Sequence, residues 1–207
     1  MKSFVNKFII ISFFIFSNIL ALKAEDSISY YVALNYYWDL SDTYGGGNLF
    51  NGEISGLKSW YGAKLAYGHF QSDYIFLFKV PYDEANLELQ IPIHEMSFMK
   101  SGSLSGFIRP IQNKWLSTDF ILGAVFNRAT SFYLKTIEYS YNIEKGSFDY
   151  LIKDYQLIRK NRFGYQVGID CNFNILSKIA IQLSTRIQDL KNGGSFFFLG
   201  SGICFKF

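Results

Sequence analysis

Residues 163–173, FGYQVGIDCNF, alternate large apolar side chains with Gly, Gln, Asp and Asn along almost their whole length. Because successive side chains of a β-strand point to opposite faces, this period of two predicts a strand with one apolar face and one polar or small face. Residues 179–187 repeat the alternation after a short turn near 174–177. The two segments therefore predict an antiparallel hairpin.

The same alternation recurs in runs of about ten residues along the chain, as is typical of strands that cross a membrane. Pro92 cannot donate to a β-ladder, so a β-bulge is expected there, and residues 71–73 (QSD) are interpreted as a short turn. In residues 119–134 both faces are apolar, and the register of that strand stays unassigned. The eight predicted strands cover residues 28–39, 59–70, 74–80, 87–93, 119–134, 163–173, 179–187 and 195–207. Ten strands result if residues 103–112 or 143–159 pair as well.

Two predicted connections are long, residues 40–58 and 136–161, and most of the others are short. With eight strands, both chain ends lie on the side of the short turns. Outer-membrane barrels show this arrangement, with tight periplasmic turns and long outer loops. The connection at 100–117 departs from it, because it is long and falls on the side of the short turns.

Alternation alone fits a soluble barrel with its apolar face inward and a transmembrane barrel with that face in lipid. Three features favour the transmembrane barrel. Small residues on the polar face suit a narrow lumen, and Trp38 and Trp60 fall at strand ends flanking the first long loop, where an interfacial aromatic girdle is expected. The chain ends with Ile203, Phe205 and Phe207 on one face, which resembles the C-terminal signal that the barrel-assembly machinery reads. We therefore expect an all-β, eight-stranded antiparallel up-and-down transmembrane β-barrel in contact with outer-membrane lipid.

The first 24 residues have the features of a secretory signal peptide, with Lys2 and Lys7 before an apolar core and Ala24 near the cleavage site. A single N-terminal anchor is the alternative, although the apolar run is shorter than the ~20 residues that a span needs. Removing Lys2, Lys7 and Lys23 from the 20 basic residues leaves 17 against 17 acidic ones. This balance, without a basic patch, argues against nucleic-acid binding. The predicted organisation is a signal peptide at 1–24 and a barrel domain at 25–207, exported to the outer membrane of a Gram-negative bacterium.

The polar strand faces contribute Lys64, Gln166, Asp170, Gln182 and Arg186 to the predicted lumen. The interior of an eight-stranded barrel is just wide enough for side chains to fill, and buried charges must pair. These residues therefore predict a plugged interior, with Asp170 and Arg186 as an ion pair on adjacent strands. A selective pore or a ligand site is the alternative.

Three segments resemble strands of the PorT-like family of small outer-membrane β-barrels: residues 87–100 (LELQIPIHEMSFMK), residues 120–126 (FILGAVF) and residues 163–173. The first predicted strand lacks the glycines usual in that family. LELQIPI also has one residue more before its proline than the commonest form. The resemblance implies a fold and a location, and it implies no functional residues.

Patterns that would indicate catalysis or metal binding are scarce. A barrel lipid-A deacylase carries His-x-Ser on one strand face, and neither His69 nor His94 is followed by Ser two residues later. Cys171 is assigned to the lipid face and Cys204 to the lumen, so they predict neither a disulfide nor a metal site. We expect no cofactor and no enzyme activity, with a lipid-A-modifying hydrolase as the minor alternative.

The resulting hypothesis is a structural or surface-interaction protein with a plugged polar lumen, which binds an extracellular ligand through its long loops at 40–58 and 136–161. The second loop is rich in tyrosine, which offers a large contact area at low entropic cost. It could equally be a hairpin that extends the barrel wall. A narrow channel for small solutes and a soluble periplasmic lipid carrier are the alternatives.

Overall fold

The computed structural model describes residues 28–41, 46–81, 88–142 and 144–207, and the predicted signal peptide lies outside them. Within these residues eight antiparallel strands form a closed barrel, in which each strand pairs with the next and β1 pairs with β8. The prediction of an eight-stranded up-and-down barrel is confirmed. No helix long and apolar enough to cross a membrane occurs in the described part of the chain. The strands are β1 (Ser29–Asp39), β2 (Gly47–Lys58), β3 (Tyr61–Pro81), β4 (Glu88–Gln112), β5 (Leu116–Asn142), β6 (Ser147–Leu176), β7 (Ile179–Leu190) and β8 (Gly194–Lys206).

The residue pairings define the tilt of the strands. Starting at Asn35 of β1, the paired residues of β2, β3, β4 and β5 lead to Arg162 of β6. In the other direction, through β8 and β7, they lead to Asn172, ten residues further along β6. A stagger of ten residues over eight strands, at ~3.3 Å per residue and ~4.8 Å between strands, gives a tilt of about 40°. Strands that cross a membrane have this tilt.

The apolar face of the barrel points outward. In β1, Leu34 and Trp38 are 50% and 48% exposed, whereas Asn35 is 1% exposed. On the opposite wall Leu104 and Leu122 are 63% and 65% exposed. A closed barrel with such an apolar exterior is stable in lipid, where the strands satisfy one another's backbone groups. The fold therefore excludes the soluble barrel with its apolar face inward.

Residues 47–58 were predicted as part of a long loop, but they form β2 in the barrel wall. The turn to β3 consists of Ser59 and Trp60, and Ser59 adopts a positive φ of 58° without the glycine that usually marks such a position. Gly52 and Gly56 occupy the outward face of β2, so the segment lacks the apolar alternation of the other strands. Most of the ligand loop predicted at 40–58 is thus strand, and residues 42–45 of it lie outside the described residues.

The predicted turn at residues 71–73 is also wrong, because β3 runs through it to Pro81. Gln71 and Asp73 are exposed on the outward face, and Ser72 is buried. The polar run marks the level at which the strand leaves lipid for water, so the polarity pattern is lost although the side chains still alternate in direction. Residues 61–70 and 74–80, predicted in two separate strands, belong to one strand.

The β-bulge expected at Pro92 is absent, since β3 and β4 pair without interruption from Ile108 to Glu88. β4 pairs with β5 only as far as Met96, which leaves Pro92 on an edge where no ladder bond is lost. A register shift lies instead between Ile108 and Ile111. The long connection predicted at 100–117 is mostly strand, and only residues 113–115 join β4 to β5. The exception to the pattern of short turns therefore disappears.

Four strands extend beyond the barrel as two hairpins, which we call the protruding hairpins. The first consists of residues 72–81 and 88–97 of β3 and β4, and the second of residues 133–142 and 144–161 of β5 and β6. The second continues for about ten pairs beyond Phe132, the last residue of β5 that pairs with β4, or roughly 33 Å. Register shifts near Leu134 and Ser140 bend it. The two hairpins pack on one another through an apolar cluster of Ile91 and Ile93 with Phe76, Phe78, Leu89, Leu134, Ile137, Tyr139, Phe148 and Leu151.

Candidate functional site

Four buried charged side chains form a ring in the middle of the barrel. Asp170 accepts hydrogen bonds from Arg186 Nη1 and Nη2, at 2.5 and 2.9 Å. It also accepts hydrogen bonds from Lys64 Nζ and from Ser184 Oγ, the latter at 2.7 Å. Glu53 closes the ring, 3.0 Å from Lys64 Nζ and 3.5 Å from Arg186 Nη2. Two cations face two anions, so the ring has no net charge.

Three of the five residues proposed for the lumen, Lys64, Asp170 and Arg186, meet in this ring. Gln166 is buried beside it, where its Nε2 donates to Ser105 Oγ at 2.8 Å and its Oε1 accepts from Gln188 Nε2 at 3.1 Å. Gln182 is buried on β7. Among the described side chains it bonds to none of the four charged groups.

Glu53 is the member of the ring that sequence reasoning missed, because β2 was assigned to a loop. It is 3% exposed and also accepts hydrogen bonds from Tyr37 Oη at 3.3 Å and Asn51 Nδ2 at 3.0 Å. The signal that could have found it is the run Asn51, Glu53, Ser55, three polar residues at every second position. That spacing places all three on one strand face.

An apolar layer covers the charged ring on the side of the protruding hairpins. Phe70, Phe196 and Phe198 form its centre, with ring centroids 5.6 to 6.0 Å apart. Beneath this layer, at the level of the charged ring, the cavity lined by Glu53, Lys64 and Arg186 measures about 10 Å³, which is room for about one water molecule. Side chains therefore fill the upper half of the interior.

A larger cavity of about 470 Å³ opens at the other end, where the tight turns and both ends of the described barrel lie. Arg109 stands at its inner limit and binds Asp119 through Nε at 2.6 Å and Nη2 at 3.0 Å. Arg109 Nη1 also donates to Tyr31 Oη at 2.9 Å. The cavity is a vestibule that ends below the charged ring.

The protruding hairpins hold their arrangement through polar contacts as well as their apolar cluster. Lys153 Nζ donates to the carbonyl oxygen of Pro92 at 2.7 Å, and the backbone N–H of Leu134 donates to Glu95 Oε1 at 3.1 Å. Their outer surfaces carry large apolar side chains that are about half exposed, namely Ile75, Leu77, Tyr150 and Ile152. The segment 136–161 was left open between loop and hairpin, and its described residues 136–142 and 144–161 form a hairpin.

Trp38 and Trp60 lie at opposite ends of the barrel and do not flank one loop as predicted. Trp38 pairs with Asn48 at one end of β2, and Trp60 follows Lys58 at the other end. Ten residues of strand separate Asn48 from Lys58, which is roughly 33 Å along the strand and roughly 25 Å along the barrel axis. This matches the ~25 Å height of the apolar band in membrane barrels. That the two tryptophans belong to an interfacial girdle remains a prediction.

The last strand presents Ile203, Phe205 and Phe207 to the exterior, with exposed fractions of 49%, 36% and 74%. The backbone N–H of Phe207 donates to the carbonyl oxygen of Tyr30 at 2.9 Å, which closes β8 onto β1. The recognition of these residues by the barrel-assembly machinery also remains a prediction.

The histidines and cysteines are dispersed. His69 and His94 are exposed on the outer faces of β3 and β4. Cys171 is half-buried, Cys204 is buried in the interior, and both are free. Among the described residues, no three His, Cys, Asp or Glu side chains come together as metal ligands.

No known family model and no curated protein matches this sequence. Several solved structures do match the fold of this chain. Neisserial surface protein A superposes with a TM-score of 0.54 at 10% identity, over 89% of this chain and 100% of that one. The N-terminal β-barrel domain of Pseudomonas aeruginosa OprF gives 0.53 at 13% identity, over 88% of this chain and all of the other. The chain has the fold of the small outer-membrane β-barrels.

OprG, also an outer membrane protein of Pseudomonas aeruginosa, superposes with a TM-score of 0.53 at 8% identity, over 89% of this chain and 98% of that one. Identities this low show a shared fold and carry over no activity. The resemblance to the PorT-like family is matched by no family model and stays a prediction.

Proposed function

We propose that this protein sits in the outer membrane of a Gram-negative bacterium and acts at the cell surface as an interaction protein, with the barrel as its plugged anchor. The observation that carries the proposal is the contrast between a filled interior and a large pair of protruding hairpins. A lumen that is crossed by a packed aromatic layer, with room for about one water molecule in the cavity at the charged ring, is poorly suited to transport. The residues outside the membrane band are therefore the best candidates for function.

The location and orientation rest on three supports. The first 24 residues have the features of a signal peptide, and the similar solved structures are outer-membrane proteins. The tight turns lie at the end that also holds both ends of the described barrel. Since outer-membrane barrels place short turns in the periplasm, the protruding hairpins face the outside.

The surface of the protruding hairpins supports a role in binding. Ile75, Leu77, Tyr150 and Ile152 are 51% to 56% exposed although this part of the chain lies beyond the lipid band. Each hairpin thus carries two exposed apolar side chains at alternate positions on its outer face, and exposed apolar patches mark protein or ligand contacts. The internal apolar cluster holds the hairpins in one arrangement, which lowers the entropic cost of binding.

The test compares the full chain with a variant in which residues 135–154 are replaced by an Asn-Gly turn, joining Leu134 directly to its partner Tyr155. Both are displayed on a Gram-negative host that lacks the protein, and binding of the cells to panels of glycans, matrix polymers and other cells is measured. We expect the full chain to bind at least one surface and the trimmed chain to lose that binding. A Lys145→Ser, Asp149→Ser variant, which removes an exposed ion pair at the hairpin tip, is the matched control.

Equal binding by the full and trimmed chains, or no binding above empty cells, would overturn the proposal. Conductance in planar bilayers tests the channel alternative on the same purified protein. We expect no stepwise current from the full chain, because the aromatic layer lies across the lumen. A steady ion current would favour a narrow channel instead.

A further inference from the structure

We infer that the outer end of the barrel wall binds the phosphate groups of a phosphorylated glycolipid of the outer leaflet. The inference rests on the orientation given in the proposed function. Pairings place His69, Lys100 and Arg128 side by side on β3, β4 and β5. Arg159 of β6 pairs with Thr130, two residues beyond Arg128 along β5. We call His69, Lys100, Arg128 and Arg159 the basic row.

The basic row faces away from the lumen. Lys100 stands between buried Met99 and Ser101, and Arg128 stands between buried Asn127 and Ala129. Because strand side chains alternate in direction, both charges project from the outside of the barrel. All four members of the row are exposed.

The row also lies at the outer edge of the lipid band. His69 is two residues before Gln71, which pairs with Asn48, the partner of Trp38. Trp38 is at the outer end of the band. Because the strands are tilted by about 40°, each pairing step from β1 towards β6 rises about 3 Å along the barrel axis, which puts Gln71 about 6 Å and His69 about 1 Å outward of Trp38. By the same steps Lys100 and Arg128 lie roughly 4–8 Å outward of Trp38, and Arg159 lies further out. Lys100 and Arg128 are thus at the depth of lipid headgroups, where cationic side chains are stable beside anionic lipid.

Among the described residues, Lys100 and Arg128 have no acidic partner. Lys100 and Arg128 are directly opposed, with Cβ atoms about 5 Å apart, and like charges in that position destabilise a sheet. Within the described ranges, neither Lys100 nor Arg128 forms an ion pair or a side-chain hydrogen bond. By contrast, the exposed Lys135 of β5 forms an ion pair with Asp154 at 3.3 Å. A phosphate between the two cations would remove the repulsion and accept charge-assisted hydrogen bonds from both.

An apolar groove adjoins the basic row and indicates a lipid as the source of the phosphate. It measures about 930 Å³ and includes His69 and Leu104 in its lining, with Gly52 and Gly56 among its small residues. Gly102 is the outward residue between Lys100 and Leu104, and an added Cβ there would meet no atom within 4 Å. A phosphate at Lys100 and Arg128 therefore has open apolar surface directly beneath it for an acyl chain.

The test measures binding of diphosphoryl lipid A to the purified full chain in a neutral detergent by native mass spectrometry. Lipid A without its phosphates is measured as a control probe. An excess of inorganic phosphate is added in a separate sample as a competitor. The variants are Lys100→Ser with Arg128→Ser for the headgroup site and Gly102→Leu for the apolar contact. Lys114→Ser with Lys178→Ser removes the same charge from the periplasmic turns and serves as the matched control. The faster migration of unboiled protein in SDS gels verifies that each variant is folded.

We expect the headgroup double variant to bind the probe at least tenfold more weakly, the control to bind as the full chain does, and Gly102→Leu to bind severalfold more weakly. The probe without phosphates should bind weakly to all of them, and inorganic phosphate should not displace lipid A. The inference would be overturned if the control variant lost lipid A binding equally, or if the headgroup variant lost none of it. Displacement by inorganic phosphate would also overturn it in favour of a small-anion site. Because this assay uses purified protein, its result is independent of whether the hairpins bind a surface on cells.

Discussion

Replacing Asp170 with Asn should destabilise the barrel more than any change of similar size on its surface. Asp170 is fully buried, and it accepts hydrogen bonds from both Arg186 and Lys64. Asn keeps nearly the same volume but carries no charge, so Lys64 and Arg186 would share Glu53 as the one anion of the ring. Removing one partner of a buried ion pair costs about 3–5 kcal/mol. We expect the free energy of unfolding to fall by about that amount.

The assay is equilibrium unfolding in urea with the protein in phospholipid vesicles, followed by fluorescence of the three tryptophans. Asp154→Asn is the matched control, since it removes the charge from a pair with Lys135 whose side chains are 52% and 59% exposed. Exposed pairs contribute about 0–1 kcal/mol. In the double variant Lys64→Gln, Asp170→Asn one cation again faces one anion, and we expect part of the lost stability to return. A loss below about 1 kcal/mol for Asp170→Asn, or a further loss in the double variant, would refute the electrostatic account.

Three further predictions concern packing and exposure. Gly200→Ala should lower the free energy of unfolding by about 1–3 kcal/mol, because the added Cβ would collide with a tyrosine ring and a backbone oxygen. Gly102→Ala, where the added Cβ has open space, should change it by less than about 0.5 kcal/mol. Unfolding in urea measures both variants. Phe198→Ala should cost about 3–5 kcal/mol, since this ring is 1% exposed in the aromatic layer, and a cost below about 1 kcal/mol would show that the layer is loosely packed. Trypsin added to intact cells should cleave after Lys145 or Lys153 in the protruding hairpins and leave the wall strands uncut, and protection of both sites would place these hairpins away from the cell surface.

The sequence predicts the strands best where both of their faces stay in constant surroundings. β6 and β7 alternate clearly over residues 163–173 and 179–187, because one face remains in lipid and the other in the lumen through that depth. At residues 71–73 the outward face passes from lipid to water within one strand, and the polarity pattern resembles a turn although the backbone continues. The total of eight strands was therefore correct while one strand was split and β2 was missed.

The charged ring was predictable only in part for a related reason. Lys64, Asp170 and Arg186 each lie on the polar face of an alternating strand, so their inward direction follows from the sequence. Glu53 lies in a strand whose outward face holds glycines, and it gave no such pattern. The contact between Lys64 and Asp170 depends on the stagger of ten residues, which brings β3 and β6 to the same depth across the lumen. Local alternation contains no information about that stagger.

The pairing of β1 with β8 has a consequence for how this protein is made. Lys64 and Asp170 are 106 residues apart in the chain, and the wall that encloses them is complete only when the last strand meets the first. Until then, two free edges and four unshielded charges would face lipid, a cost that the hydrocarbon interior does not permit. Insertion strand by strand is therefore unfavourable, and we expect the entire polypeptide to be released from synthesis and kept unfolded before it enters the membrane in one cooperative step. Slow folding follows from contacts this distant in sequence, which makes the time that the chain spends unfolded before insertion a determinant of yield.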